Sequence, residues 1–191
     1  FVQGDLNNPD LLENVFNSNK FDAVIDFTGH LEVEESMRDP HKFYLNNVIS
    51  LLNLLKAMQN HNVKTIVYSS SASVYGQPKE IPVSETQVND TNNVYGETKA
   101  IAERMLKFFD NIYGIKSISL RYFNAAGADL DGEIGEAHNP ETHLIPIVFN
   151  TALGKRQHIS IYGTDYQTRD GTAVRDYIHV KDLSQVHILA M

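Results

Sequence analysis

The sequence predicts an α/β protein in which helices cover a doubly wound parallel sheet. Three short apolar segments, 23–27, 65–69 and 117–123, have the composition of buried strands. Two long segments, 41–60 and 96–113, lie between these strands and carry apolar residues at helical spacing. Strands that alternate with helices in this way pair in parallel through right-handed crossovers.

The elements before residue 124 follow one another regularly. Asn8 and Pro9 predict the start of a short helix that carries Phe16, because proline is tolerated in a first helical turn. The helix at 41–60 has a broad apolar stripe, which requires more than one packing partner. The helix at 96–113 has a similar stripe, and its candidate N-caps are Asp90, Thr91 and Asn92.

The composition changes beyond Asn124, where glycine and proline interrupt about 20 residues of predicted loop. We therefore predict a domain transition at this point. The later part of the chain contains a predicted helix at 143–153, a short strand at 159–162 and a turn at 170–172. A final strand at 178–180 is expected to rejoin the main sheet.

The composition excludes several classes of protein. The 191 residues are 42% hydrophobic, which is enough to bury a real core in one domain or one and a half. A net charge of −8 without a basic cluster argues against a nucleic-acid surface. The chain has no cysteine for disulfides or thiolate metal sites, and no apolar run long enough to span a membrane. These features favour a cytoplasmic protein.

Tyr95 and Lys99 are the strongest candidates for catalysis. Residues four apart share a helix face, and an ammonium beside a phenol is expected to lower the pKa of that phenol. Two other Tyr/Lys pairs have the same spacing, at 75/79 and 177/181. Pro78 disrupts a helix at the first, and the second lies in a β-branched segment where the two side chains would be about 13 Å apart. Only Tyr95 opens a helix.

Other candidates follow the predicted strands, because ligands bind at the carboxyl ends of strands in open α/β sheets. Ser69–Ser73 can hydrogen-bond a substrate alcohol and the catalytic phenol, or form an ordinary serine-rich turn. Thr28–Gly29 and Asn46 can face a cofactor or be structural. Arg175 matches the geometry of a phosphate, or pairs with Asp176. No histidine and carboxylate set has a spacing that predicts a metal site.

Distinctive motifs occur at four places: SSSASVYG at 69–76, YGETK at 95–99, LRYFN at 120–124 and DGTAVRDYIHV at 170–180. Together they resemble the UDP-glucose 4-epimerases, a family of the extended short-chain dehydrogenase/reductase superfamily. HNPETHLIP at 138–146 resembles a bacterial branch of these enzymes. The resemblance covers nearly the whole chain.

The resemblance implies a Rossmann-like isomerase of galactose metabolism that holds NAD and interconverts UDP-galactose and UDP-glucose. Tyr95 would be the base at the sugar 4-hydroxyl, Lys99 its electrostatic partner and a ribose contact, and Ser71 the hydroxyl that aligns substrate and phenol. The sugar C4 would be oxidised, and the 4-keto intermediate would turn and be reduced on its other face. A homodimer is also implied. The stripes of the helices at 41–60 and 96–113 either form its interface or are buried within one chain.

Binding residues are implied in the same way. Cofactor positions are matched by Tyr95 and Lys99 and by Asp5, Leu6, Phe27, Thr28, Gly29, His30, Leu31, Asn46 and Phe123. Substrate positions are matched by Ser71, Ala72, Ser73, Asn124, His143, Leu144 and Arg175, with Arg175 on the UDP phosphates. Residues 1–124 would form the NAD-binding domain, 125–174 part of the substrate-binding region, and 175–191 a return to the first domain.

Some positions depart from the family pattern. Leu31 stands where many relatives have a lysine, although the bacterial branch often lacks it too. His143 replaces a frequent asparagine, and Glu34 stands where glycine is usual. Asp26 and Thr28 replace histidine and alanine. These differences leave open how tightly the cofactor is held and which substrate is preferred. Whether N-acetylated or pentose UDP-sugars are accepted is also open, because the family residue that controls N-acetyl acceptance would lie beyond Met191.

The chain is expected to be a fragment that lacks the first βαβ unit of the family fold. The family's Gly-x-x-Gly-x-x-Gly turn, which approaches the cofactor pyrophosphate, is not in this sequence and would lie before Phe1. The segment from Phe1 to Asp5 resembles the end of a strand, and the chain stops at Met191 inside a predicted helix.

Two alternative functions remain open at this point. A nucleotide-sugar dehydratase or decarboxylase needs an additional acid at the sugar ring, and Ser71–Ser73 contains no carboxylate. A non-catalytic protein that binds nucleotide sugars or NAD has no need of a phenolate base. The set Ser71, Tyr95 and Lys99 therefore favours the epimerase.

Overall fold

The computed structural model describes residues 1–87 and 90–191, which form two compact units. One unit consists of residues 1–122 and 187–191, and the other of residues 123–186. The functional division expected from the sequence, with boundaries after residues 124 and 174, stays a prediction.

A three-stranded parallel sheet lies at the centre of the first unit. Its strands β1 (Val24–Asp26), β2 (Thr65–Ser69) and β3 (Lys116–Leu120) are arranged in the order β1-β2-β3. Ile66 and Val67 of the central strand are fully buried, as expected for a strand paired on both edges. The predicted α/β class with parallel strands is confirmed, and the three carboxyl ends lie at one edge of the sheet.

Helices of the first unit pack around this sheet, and the first, fourth and fifth of them contribute to its main hydrophobic cluster. They are α1 (Pro9–Ser18), α2 (Val33–Arg38), α3 (Pro40–Tyr44), α4 (Ser50–Asn60) and α5 (Val94–Tyr113). A π-helical segment, Leu45–Ile49, joins α3 to α4, so the helix predicted at 41–60 is present but changes its winding in the middle. The most deeply buried members of the cluster include Leu51, Leu55, Met58, Ile66, Leu106 and Ile115.

The second unit contains its own parallel strand pair. The strands β4 (Asn124–Ala126) and β5 (Tyr177–His179) pair in parallel, and α6 (Leu144–Ala152) follows the long loop after β4. The last helix, α7 (Val180–Ala190), begins in this unit and ends in the first one. The helix predicted at 143–153 is confirmed, with His143 as its N-cap.

Two strand predictions were wrong, and one predicted strand is shorter than expected. The strand expected at 117–123 ends at Leu120, because the chain turns there and the Tyr122 carbonyl accepts a hydrogen bond from the Ala72 amide. The strand near Ile178 pairs with β4 and does not rejoin the main sheet. Residues 159–162 form no strand, since no described segment pairs with them and Tyr162 is 97% exposed.

None of the helices in the described part of the chain combines the length and the apolarity that crossing a membrane would require.

Asn93 caps α5, instead of the three preceding residues expected from the sequence. Its side-chain oxygen accepts a hydrogen bond from the Gly96 amide at 2.8 Å. Gly114 ends the helix in a left-handed conformation with φ of 67°. Both ends thus follow the usual chemistry of helix capping.

We predict that Asn93→Ala lowers the free energy of unfolding by about 1 kcal/mol, because the first turn of α5 loses its cap. Asn92→Ala is the matched control, since Asn92 is exposed and caps no backbone amide among the described residues. Thermal melts combined with hydrogen exchange at Gly96 measure the effect. If both variants lost the same stability and the same protection from hydrogen exchange at Gly96, the assignment of Asn93 as the N-cap would be contradicted.

Candidate active site

The serine-rich turn after β2 is folded back against the end of β3. Ser71 is buried, and its Oγ accepts a hydrogen bond from the Ser73 amide at 3.2 Å, which starts a short 3₁₀ turn (Ala72–Tyr75). The Ala72 amide donates to the Tyr122 carbonyl at 3.1 Å. Ser71, Ala72 and Ser73 therefore lie on a defined turn at the carboxyl edge of the sheet.

The first two turns of α5 bring Tyr95 and Lys99 to the same place. Lys99 is only 4% exposed, and its Nζ donates a hydrogen bond to the Ser69 carbonyl at 2.8 Å. The same ammonium lies 6.0 Å from the centre of the Tyr95 ring. The Tyr95 phenol is hydrogen-bonded to Ser71, so the structure brings the three predicted catalytic residues together.

The electrostatics of this cluster differ from the expectation. Burial raises the pKa of Tyr95 above its ordinary value of 10.0, and the hydrogen bond with Ser71 opposes that rise. Burial also lowers the pKa of Lys99 to about 8, and the charge of Asp26 opposes that fall. The predicted lowering of the Tyr95 pKa was wrong for this structure, because the loss of hydration on burial outweighs the hydrogen bond with Ser71 that favours the phenolate.

A partly buried ion pair that the sequence did not reveal fixes the serine-rich turn. Arg121 binds Glu103 with two nitrogens, with Nε 2.9 Å from Oε1, and its Nη1 donates to the Tyr75 hydroxyl at 2.9 Å. Ser70 Oγ donates to the same Glu103 carboxylate. The pair joins α5, the turn and the residue after β3. The sequence contained no signal for it, because Glu103 lies on the face of α5 opposite the apolar positions that predicted its packing.

The loop after β1, with Thr28, Gly29, His30 and Leu31, is held by Asn47. The Asn47 oxygen accepts from the His30 amide at 2.8 Å, and its nitrogen donates to the His30 carbonyl at 3.0 Å. Gly29 has a φ of 115°, and a Cβ there would lie 2.8 Å from Asn47 Oδ1. The predicted cofactor residue Asn46 instead donates to the Lys42 carbonyl.

The other predicted cofactor residues of the first unit lie near strand and helix ends. Asp5 and Leu6 precede α1: Asp5 accepts from the Asn7 amide, and the Leu6 carbonyl accepts from Asn53. Phe27 is exposed directly after β1, and Leu31 is exposed in the same loop. Exposed apolar side chains beside the carboxyl edge of the sheet can pack against the planar ring of a ligand.

The second unit holds the remaining predicted binding residues. Phe123 is exposed just before β4, and the Asn124 side chain donates to the Asp176 carbonyl at 2.7 Å, which brings it next to Arg175 in the fold of this unit. Arg175 is exposed and donates to the Val174 carbonyl. His143 and Leu144 start α6, also exposed.

Two groups of side chains lie close enough to share a cation, although the sequence predicted no metal site. In each group the donor atoms are within 4.8 Å of one another; the groups are His138, Glu141 and His143, and His30, Glu32 and Glu35. In the first group, His143 is 2.9 Å from Glu141. In the second, Glu35 is already paired with Lys42 at 2.7 Å. The absence of a metal stays a prediction.

A sequence profile of the NAD dependent epimerase/dehydratase family matches residues 1–191. The chain belongs to this family. A UDP-glucose 4-epimerase from Halalkalibacterium halodurans is 49% identical over 190 residues, which cover 100% of this chain and 57% of that protein. The resemblance found in the sequence motifs is thereby confirmed.

Solved structures give the same picture for this epimerase/dehydratase chain. The UDP-glucose 4-epimerase from Brucella ovis in complex with NAD matches at a TM-score of 0.95 and 45% identity, covering 100% of this chain and 58% of its own. The enzyme from Bifidobacterium longum in complex with NAD⁺ and UDP matches at 0.93 and 43%, covering 98% and 57%. The chain thus spans 57–58% of the length of these relatives.

We predict that Asn47→Ala destabilises this epimerase/dehydratase chain by about 2 kcal/mol or more, because three hydrogen bonds to His30 and Thr98 lose their partner in a buried site. Asn46→Ala is the matched control and should cost less than about 1 kcal/mol. Urea unfolding measures both. A larger effect at Asn46 would show that the loop after β1 does not depend on Asn47.

Proposed function

We propose that the protein containing this chain is a UDP-glucose 4-epimerase that interconverts UDP-galactose and UDP-glucose with NAD. The observation that carries the proposal is the meeting of Ser71, Tyr95 and Lys99 at the carboxyl edge of one sheet. A phenol beside a buried ammonium and a serine hydroxyl suits proton transfer at a sugar hydroxyl.

Each of the three residues has a separate role in the proposal. The Tyr95 oxygen takes the proton of the sugar 4-hydroxyl and returns it at the end of the reaction. Ser71, already hydrogen-bonded to that phenol, aligns the sugar hydroxyl with it. Lys99 favours the phenolate through its charge, and its hydrogen bond to Ser69 keeps the ammonium in place.

The residues around this edge fit NAD. When bound, NAD supplies the acceptor and donor of the C4 hydride. Phe27 and Leu31 offer exposed apolar contacts, and Gly29 leaves the loop backbone without a side chain. Asp5, Leu6, Thr28, His30, Asn46 and Phe123 complete the proposed cofactor set.

The proposed substrate is a UDP-sugar. Arg175 would bind the phosphates, because its exposed guanidinium can donate two parallel hydrogen bonds to phosphate oxygens. No ion pair between Arg175 and Asp176 occurs in the described residues, so the alternative role for Arg175 has no support there. Ala72, Ser73, Asn124, His143 and Leu144 complete the proposed substrate set.

A homodimer in the cytoplasm is part of the proposal. Phe108 and Ile112 of α5 are 63% and 66% exposed, and Leu45, Ile49 and Leu52 of the neighbouring helical segment are also exposed. A second copy could cover these apolar side chains, which soluble monomers rarely display together. The cytoplasmic location rests on the composition alone.

We predict that Tyr95→Phe lowers kcat about 10²-fold or more in the protein containing this chain, because it removes the group that exchanges the proton. Tyr113→Phe, on the same helix but partly exposed, is the matched control and should leave kcat unchanged. Conversion of UDP-galactose, followed by chromatography, measures the rate. Normal turnover by Tyr95→Phe would rule out the proposed base.

We predict that Phe108→Glu combined with Ile112→Glu yields a monomer, because paired carboxylates would be buried in the proposed interface. Phe149→Glu, at an equally exposed residue of α6, should leave the dimer intact. Sedimentation equilibrium gives the mass of each variant. A dimer that survives the double substitution would place the interface elsewhere.

A further inference from the structure

Asp26, the last residue of β1, is a carboxylate buried in the sheet. It is 2% exposed, and its Oδ1 accepts hydrogen bonds from the Thr28 amide at 2.8 Å and the Thr28 hydroxyl at 2.6 Å. Its Oδ2 is buried and has no hydrogen-bond partner among the described residues. A buried carboxylate in this situation is costly unless an opposite charge lies nearby.

Tyr68 connects Asp26 with such a charge. Asp26 and Tyr68 are register partners on adjacent parallel strands, so their side chains project from the same face of the sheet. The Lys99 ammonium lies over the Tyr68 ring, 4.8 Å from its centre. The carboxylate of Asp26 and the ammonium of Lys99 therefore share one buried neighbour.

The other ionisable groups around Lys99 do not supply a negative charge. Tyr68 is a buried phenol whose pKa is raised by burial, and burial also raises the pKa of Tyr95. Tyr122 is a further phenol close to both tyrosines, and its hydroxyl contacts Ser69. The carboxylate of Glu103 is already paired with Arg121.

We propose that Asp26 is a positioning residue that keeps Lys99 protonated beside Tyr95. The proposal rests on the function proposed above, in which Lys99 acts through its charge. Burial lowers the pKa of Lys99 to about 8 even though the charge of Asp26 opposes this effect. Without Asp26, Lys99 would lose its proton at a lower pH, and Tyr95 would lose its cationic neighbour within the working range of the enzyme.

The test compares Asp26→Asn with Asp22→Asn, an exposed aspartate before β1, in the protein containing this chain. Asparagine keeps an acceptor for the Thr28 amide, so the loop after β1 should survive. Lys99 is titrated by NMR with isotope-labelled lysine, and its signal is assigned with Lys99→Arg. The pH dependence of kcat for UDP-galactose is measured in parallel.

In Asp26→Asn the pKa of Lys99 should fall by about 1 or more, as expected when an opposite charge at close range is removed. The alkaline fall of kcat should move to lower pH by a similar amount, whereas Asp22→Asn should change neither curve. An unchanged Lys99 titration would overturn the proposal.

The two proposals fail in different ways. Suppose that Asp26→Asn shifts the pKa of Lys99, but that neither the parent protein nor any variant converts UDP-sugars. The role of Asp26 toward Lys99 would then be supported, and the proposed function would be wrong. If Asp26→Asn does not fold, Asp26→Ser is used in its place. Failure of both variants to fold would assign Asp26 to the fold alone and overturn its role toward Lys99.

Discussion

The hydrogen bond from the buried Lys99 ammonium to the Ser69 carbonyl is the interaction on which the site depends. An ammonium with almost no exposure needs such a partner, because an unpaired buried charge is costly. The bond fixes α5 against the end of β2. It thereby places the first turn of α5, with Tyr95, beside the serine turn that follows the same strand.

Other buried or partly buried polar groups hold the loops around this contact. Glu103 and Arg121 connect α5 with the turn after β2, and Asn47 holds the backbone on both sides of His30. Each of these groups forms hydrogen bonds with several partners. Together these bonds favour a single arrangement of the loops. Hydrophobic packing from α4, β2 and α5 supplies the platform, but it is the polar contacts that set the positions of the reactive side chains.

The proposed catalytic residues and most proposed substrate contacts lie in different units. Ser71, Tyr95 and Lys99 belong to residues 1–122, whereas Asn124, His143 and Arg175 belong to residues 123–186. In the proposed function, proton transfer would therefore depend on a set assembled within one unit. Recognition of the sugar nucleotide would draw mainly on side chains that are presented by exposed loops and a helix start in the other.

The sequence by itself determined the α/β class, the parallel strands and the grouping of Tyr95 with Lys99, because apolar periodicity and residue spacing are local properties. It also indicated the helix that begins with Leu144. It did not place the strand near Ile178, since a strand's partner depends on the chain's path and not on its own residues. Its pairing with Asn124–Ala126 was decided by the tertiary structure.

The electrostatics of the site were decided only by the tertiary structure. Spacing predicted that Lys99 would lower the pKa of Tyr95, but burial of both side chains controls their titration. Asn47 and Glu103 were missed for the same reason, since their importance comes from partners far away in sequence. Local patterns reveal which residues can meet on one helix face, whereas burial and distant partners determine how those residues behave.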